Sequence, residues 1–169
     1  LSDAAQKILE MRGHYKRLVK LVKVEDLMSR NVVSASPEES LSSALARMKK
    51  YRIHQMPVVD NGEYKGMLLL KQLVTKKIEP TKSKCGHFTV PTGSLRKTIS
   101  VEDAAQAMIN SGLRALPVIH DNEIVGILSE SDLMKVASSN KKVEDVMSEC
   151  EYASISDNVG KVRKIMTYR

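Results

Sequence analysis

The apolar positions of the chain fall into two series that repeat. Leu41, Ala44, Leu45 and Met48 recur at three- and four-residue steps, and so do Val101, Ala104, Ala105 and Met108. That spacing puts each set on one face of a short helix. A compact apolar run follows each stripe, Met56-Pro-Val-Val59 in the first and Leu116-Pro-Val-Ile119 in the second. Such runs predict strands. Turn chemistry comes next, Asp60-Asn-Gly62 and Asp121-Asn122, which predicts tight hairpins. A second apolar strand then runs from Gly66 to Leu70 or from Gly126 to Leu128, and leads into a helix through Leu73 or Leu133. Gly112 stands where the second striped helix needs a left-handed closing residue.

Sliding the sequence by 60 residues aligns 36–76 with 96–136 without a gap, and nine of the 41 pairs are identical. Each copy therefore reads strand-helix-strand-strand-helix, an α+β pattern in α/β-type layers. Neither copy is long enough to bury both faces of its small sheet alone, so the two are expected to pack face to face. A second repetition overlies the first: Val24-Glu-Asp-Leu-Met-Ser29 recurs as Val143-Glu-Asp-Val-Met-Ser148. Val159, Val162 and Met166 then repeat the spacing of Leu41, Ala44 and Met48. The expectation is a further repeat cut off inside its first helix, hence a fragment of a longer protein. The alternative is a half-repeat that completes a neighbour's sheet.

The resulting organisation is a basic amphipathic helix over 1–23, a first repeat over 24–77, a basic connector and lead-in strand over 78–97, a second repeat over 98–138, and the partial copy over 143–169. The N-terminal stretch from Ala4 to Val22 carries Ile8, Tyr15, Leu18 and Val22 on one face, with Arg12, Lys16, Arg17, Lys20 and Lys23 elsewhere. A helix packed on the module is the expected structure.

Composition narrows the function. The chain has 169 residues with 42% hydrophobic and 28% charged, a globular balance,. Its longest apolar run, Met67 to Leu70, is far too short to span a bilayer,. No signal-peptide pattern opens the chain, and two cysteines build no disulfide framework, so a cytoplasmic location is expected,. One Phe, five Tyr and no Trp argue against a single-strand nucleic-acid binder, which stacks bases on aromatic rings,. The net charge of +7 is uneven: residues 1–23 carry +4 and residues 71–97 carry +6, while the rest is acidic. Such a pattern suits an anionic small ligand or a phosphate-rich surface. Solvated surface lysines are the plainer reading.

The Val-x-Asp-x-Met starts, the Leu-Pro-Val-Ile strand 116–119 and Gly126-Ile-Leu-Ser-Glu-Ser-Asp132 together resemble a tandem pair of CBS (cystathionine-β-synthase) domains. The resemblance covers about 24–138 plus the partial copy. It implies a pseudo-two-fold module of two β-α-β-β-α repeats, whose cleft binds adenosyl ligands and which reports to an attached or partner protein. It also implies that the module has no catalysis of its own.

Ser129 and Asp132 form a Ser-x-x-Asp pattern at a helix start. Taken alone this is an N-cap with an acidic third position, worth roughly 1 kcal/mol to the helix. The resemblance instead implies that Asp132 takes the ribose hydroxyls, with Ser129 and Ser131 near ribose and phosphate. An acidic residue can accept both hydroxyls of a ribose, as in dinucleotide-binding folds. Arg114, ahead of the Pro117 strand, is placed to grip phosphate with two prongs. Ala115, Leu116, Pro117 and Val118 are expected to wall the adenine ring, and Thr89 and Val90 to close the base pocket. In the first repeat, Leu69, Lys71 and Gln72 replace the two serines and the aspartate, and His54 replaces the arginine. One good site per pair is therefore expected.

Cys85-x-His87 supplies half a zinc site and Cys150 gives no second pair, so no metal centre is expected,. His14, His54, His87 and His120 lack a serine or cysteine partner at catalytic spacing. The expected function is a non-catalytic sensor of AMP, ADP or ATP, with S-adenosylmethionine as an alternative ligand and no required cofactor. A homodimer and an unidentified protein partner or further domain are the expected associations. Two other classes remain: a nucleic-acid binder using the basic arm and connector, and a structural dimerisation module with a vestigial cleft.

Overall fold

A computed structural model describes residues 3–10, 21–75, 78–136 and 152–167. The chain forms two compact units, Leu1–Ser138 and Ser139–Arg169. In the first unit the elements run α1 (Asp3–Glu10), α2 (Val24–Leu27), α3 (Leu41–Tyr51), β1 (Gln55–Asp60), β2 (Glu63–Leu69) and α4 (Leu70–Val74). After a 3-10 turn at Cys85–Phe88 come β3 (Leu95–Arg96), α5 (Val101–Ser111), β4 (Ala115–His120), β5 (Glu123–Ser129) and α6 (Glu130–Met134).

Both striped helices start on a serine whose hydroxyl accepts an N–H three residues on: Ser40 from Ser43, and Ser100 from Asp103. Such a cap satisfies one of the amides left open at a helix start. Gly112 closes α5 in the left-handed conformation at φ 66°. At the matching place Arg52 closes α3 at φ 54°, a conformation that strains a residue bearing a Cβ,. The hairpin turns are Asn61-Gly62 and Asp121-Asn122, all four with positive φ. Two such residues in a row match the right-handed twist of the strands they join.

The five strands form one sheet in the order β1-β2-β5-β4-β3. The two repeats meet edge to edge through β2 and β5, joined in the ladder at Glu63 and Glu123, whereas stacked sheets were expected. The leading strand of the second repeat is β3, parallel to β4. In the first repeat it shrinks to one bridge, Ala35 to Val58. Each repeat keeps its own core, one around Leu41, Ala44, Met48, Met56, Val58 and Leu68, the other around Val101, Ala104, Met108, Leu116, Val118 and Leu128.

What unites the repeats is an exchange of their lead-in segments. Val24 and Met28 open the first repeat, yet they are buried in the core of the second. Cys85 comes before the second repeat and is buried in the core of the first. The backbone follows the same exchange. Ser29 and Ile127 trade two hydrogen bonds of 2.9 Å, and Val90 and Met67 trade two of 2.9 Å. Gly66 and Gly126 mark these crossings. A Cβ on Gly66 would lie 2.5 Å from the Val90 carbonyl oxygen, and one on Gly126 would lie 2.5 Å from the Met28 sulfur.

Helix α1 packs on α5 and α6, with Ala5 and Ile8 buried in the second core. The expected long amphipathic helix is thus seen in its first part. Tyr15, Leu18 and the basic residues Arg12, Lys16, Arg17 and Lys20 lie outside the described residues. Val22 sits in a bend and packs against the second core.

In the second unit, the motif 143–148 lies outside the described residues, and α7 spans Val159–Thr167. Asn158 caps it, its side-chain oxygen accepting from the Lys161 N–H at 2.9 Å. Just upstream, the Ser154 N–H donates to Asp157 Oδ2 at 2.9 Å, and the Ser36 N–H donates likewise to Glu39 Oε2 ahead of α3. The turn and cap ahead of α7 thus match those ahead of α3 in their hydrogen bonds.

Candidate functional site

The hairpin register of the second repeat gathers the residues that the sequence singles out. Ala115 pairs with Ser129 across β4 and β5. One step further, the Glu130 N–H donates to the Arg114 carbonyl at 2.9 Å. Arg114 is thereby brought beside Ser129, Glu130, Ser131 and Asp132, more than a dozen residues away in sequence. Asp132 is 4% exposed, the one buried charged residue among the described residues. Its Oδ2 accepts from the Ser129 N–H at 3.0 Å and from the Ser129 hydroxyl at 2.6 Å, while Oδ1 accepts from Lys135 Nζ at 2.7 Å. A buried carboxylate needs such partners, because desolvation without them is costly. Three of its roughly four acceptor sites are filled, which leaves Oδ1 capacity for one further donor,.

The Arg114 side chain is 79% exposed, with Nε 3.9 Å from Glu130 Oε2. An exposed contact of that length binds weakly and leaves the guanidinium free to move. Ser131 is exposed.

Strand alternation divides the expected pocket wall. Successive side chains in a strand point to opposite faces. Leu116 and Val118 enter the core beneath α5 and are spent there. Ala115 and Pro117 therefore face the other way, Pro117 buried yet part of neither core. The same alternation in β1 puts Met56 and Val58 in the first core and leaves Gln55 and Pro57 on the opposite face.

Thr89 and Val90 do not close onto the second repeat. Val90 pairs with Met67 of the first, and Thr89 donates its hydroxyl to the Cys85 carbonyl at 3.0 Å. The segment that crosses β5 is Met28-Ser29. The reason is the exchange of lead-in segments, which a linear reading assigns to the wrong repeat. The sequence gives no sign of this crossing, because each segment reads as the lead-in to the repeat that follows it. Glu130 was also missed, because its closeness to Arg114 depends on the hairpin register.

In the first repeat the Leu70 N–H donates to the His54 carbonyl at 2.9 Å, the same backbone closure. The side chains differ. Leu69 caps nothing, Lys71 and Gln72 are exposed, and no carboxylate stands at the place of Asp132. Gln55 Oε1 is buried there without a partner.

Two cavities lie away from these residues. One of about 480 Å³ is lined by Leu9, Ser100, Glu102, Asp103 and Gln106, and one of about 210 Å³ by Leu41, Leu45, Leu73, Val74, Ile78 and Pro80. Neither is lined by Asp132 or Arg114. Burial pushes the Cys85 thiol up to about 11, which makes it a poor nucleophile at neutral pH,. Among the described residues no group of three or more His, Cys, Asp or Glu side chains is placed to hold a metal ion. No helix among them is long and apolar enough to cross a membrane.

The CBS domain family model matches residues 24–79 and 90–139. A CBS domain-containing protein of Bacillus subtilis, YhcV, is 27% identical over 140 residues, which cover 78% of this chain and 97% of that one. The chain spans only 53% and 36% of two longer archaeal relatives. Among solved structures, CBSX2 in complex with AMP superposes with a TM-score of 0.58 at 23% identity, covering 68% of this chain and 95% of that one. The CBS domain pair of MJ0100, in complex with 5'-methylthioadenosine and S-adenosyl-L-methionine, gives 0.61 at 20% identity over 68% and 94%.

Proposed function

This chain belongs to the CBS-domain family, and from that premise we propose that it is a non-catalytic regulatory module that senses an adenosyl ligand and passes its occupancy to a partner. The observation that carries the reading is the buried Asp132, with Ser129 bonded to one oxygen and Arg114 drawn alongside by the Glu130–Arg114 backbone bond. A carboxylate in that position can take a ribose hydroxyl, and an exposed guanidinium can take phosphate. The ligand classes come from relatives: CBSX2 is solved with AMP, the MJ0100 pair with S-adenosyl-L-methionine and 5'-methylthioadenosine, and a bacterial CNNM/CorC Mg2+ transporter's CBS domain with ATP. Within this reading AMP, ADP or ATP is the leading ligand and S-adenosylmethionine the alternative. The second repeat supplies the working site, and the module pairs with a second copy.

A ligand held only by the folded state raises its stability, so thermal shift with AMP, ATP and S-adenosylmethionine is the first test. Calorimetry with the best of them is expected to give about one strong site per chain. No shift with any of the three, at millimolar ligand, removes the reading. Light scattering at high protein concentration tests the dimer, which a strictly monomeric mass would refute.

A further inference from the structure

We propose that Glu130 limits the phosphate number of the ligand, so that the second-repeat site favours an adenosyl ligand with one phosphate or none over a di- or triphosphate. This rests on the reading of Asp132 and Arg114 as ligand-holding residues, and it names the ligand class that they accept.

Among the described residues two buried side-chain oxygens have no partner, Gln55 Oε1 and Glu130 Oε1. The second belongs to the carboxylate whose other oxygen stands 3.9 Å from Arg114 Nε. Of that pair the guanidinium is the mobile member, at 79% exposed against 24% for Glu130. The Glu130 backbone is fixed by its bond to the Arg114 carbonyl, so the carboxylate stays beside the arginine. A second cation, Lys135, is already bonded to Asp132. In this cluster of described residues, Arg114 and Lys135 face Glu130 and Asp132.

A phosphate monoester carries roughly two negative charges at neutral pH. Arg114 can swing to meet one such group and leave Glu130 behind. Each further phosphate adds charge beyond what Arg114 and Lys135 can neutralise, and Glu130 repels it. In a partly solvated site that repulsion amounts to about threefold to fivefold in affinity per added phosphate. Glu130 therefore acts as a specificity residue through charge. The first repeat has no counterpart, since Leu70 stands at that position.

The test is calorimetric titration of the full chain with adenosine, AMP, ADP and ATP in magnesium-free buffer, for wild type, Glu130→Gln and Asp132→Ala. Glu130→Gln keeps size and hydrogen-bonding capacity, and an unchanged melting temperature checks its fold. Adenosine is expected to bind the wild type and Glu130→Gln alike within twofold. AMP should bind Glu130→Gln about threefold more tightly than wild type, and ATP at least about tenfold more tightly. A change of the same size for all four ligands, or none for ATP, overturns the inference. Asp132→Ala separates the two ideas. If it weakens adenosine while Glu130→Gln leaves the ATP-to-adenosine ratio untouched, the site stands and the role of Glu130 falls. If wild type and both variants bind none of the four, both fall together.

Discussion

The two repeats carry the same backbone and opposite side-chain chemistry at matching places. After β5 the chain reads Ser129, Glu130, Ser131 and Asp132, and after β2 it reads Leu69, Leu70, Lys71 and Gln72. The closing backbone bond is 2.9 Å in both, Glu130 to Arg114 and Leu70 to His54. The hairpin geometry therefore does not require the polar set. The reverse holds on the helix side. There the first repeat has Arg47 gripping both oxygens of Glu39 and donating to the Ser34 carbonyl at 2.9 Å. The second repeat has Ala107 and Ile99 at those positions, packed against its core. One repeat spends its polar groups on holding itself together, and the other keeps them beside an open arginine. The two repeats share a frame and differ in the side chains it carries.

The crossings give the largest effect with which to probe this comparison. Gly66→Ala drives a Cβ into the Val90 carbonyl at a φ of 143°, and neither strain is relieved by a rotamer change. A loss of about 3 kcal/mol or more is expected in chemical denaturation. Gly126→Ala meets chiefly the Met28 side chain, which can move, and should cost about 1–2 kcal/mol. Equal losses would mean that the two crossings are equally rigid.

Next comes the site itself. Asp132→Ala should weaken every adenosyl ligand by about 1.5–3 kcal/mol, as expected for a hydrogen bond to a charged group. Gln72→Ala should leave all affinities unchanged. If Asp132→Ala lowers the melting temperature but spares affinity for AMP, ATP and S-adenosylmethionine, Ser129 and Asp132 only cap α6.

A smaller effect tests the polar clamp of the first repeat. Arg47, through its hydrogen bonds, holds the Glu39 carboxyl below the ordinary glutamate range. A carboxylate whose folded pKa is depressed contributes stability above its unfolded pKa and loses it as the pH falls through the folded one. Arg47→Ala is therefore expected to cost about 1–2 kcal/mol at pH 7, with the gap to wild type narrowing under acid. Melting curves at pH 7 and pH 3 measure this. A constant gap would assign the loss to packing of the arginine stem.

The smallest expected change is a gain. Arg52→Gly should stabilise by about 1 kcal/mol or less, because glycine takes the left-handed closing position without strain, as Gly112 does in α5,. Gly112→Arg should do the reverse, and urea midpoints of the two variants would show it.

Much of this frame was legible in the residues. The stripe of Leu41, Ala44 and Met48, the Asn61-Gly62 turn and the doubled Pro-Val strands fixed helices, hairpins and core from local periodicity alone. The candidate site is legible in part. Its motif singles out Ser129, Asp132 and Arg114, which the hairpin register brings together, whereas Leu116 and Val118 are claimed by the core and Thr89 and Val90 by the other repeat.

The amino-acid order by itself determined the duplication, its elements and the asymmetry between Asp132 and Gln72, because spacing and side-chain chemistry are properties of the chain. It could not determine which lead-in segment lies across which repeat, nor that Glu130 comes to rest beside Arg114. Those depend on long-range pairing: Ser29 reaches Ile127 and Val90 reaches Met67 only when each repeat buries its neighbour's Val24 or Cys85. No local pattern encodes a partner that the chain meets only after the whole module closes.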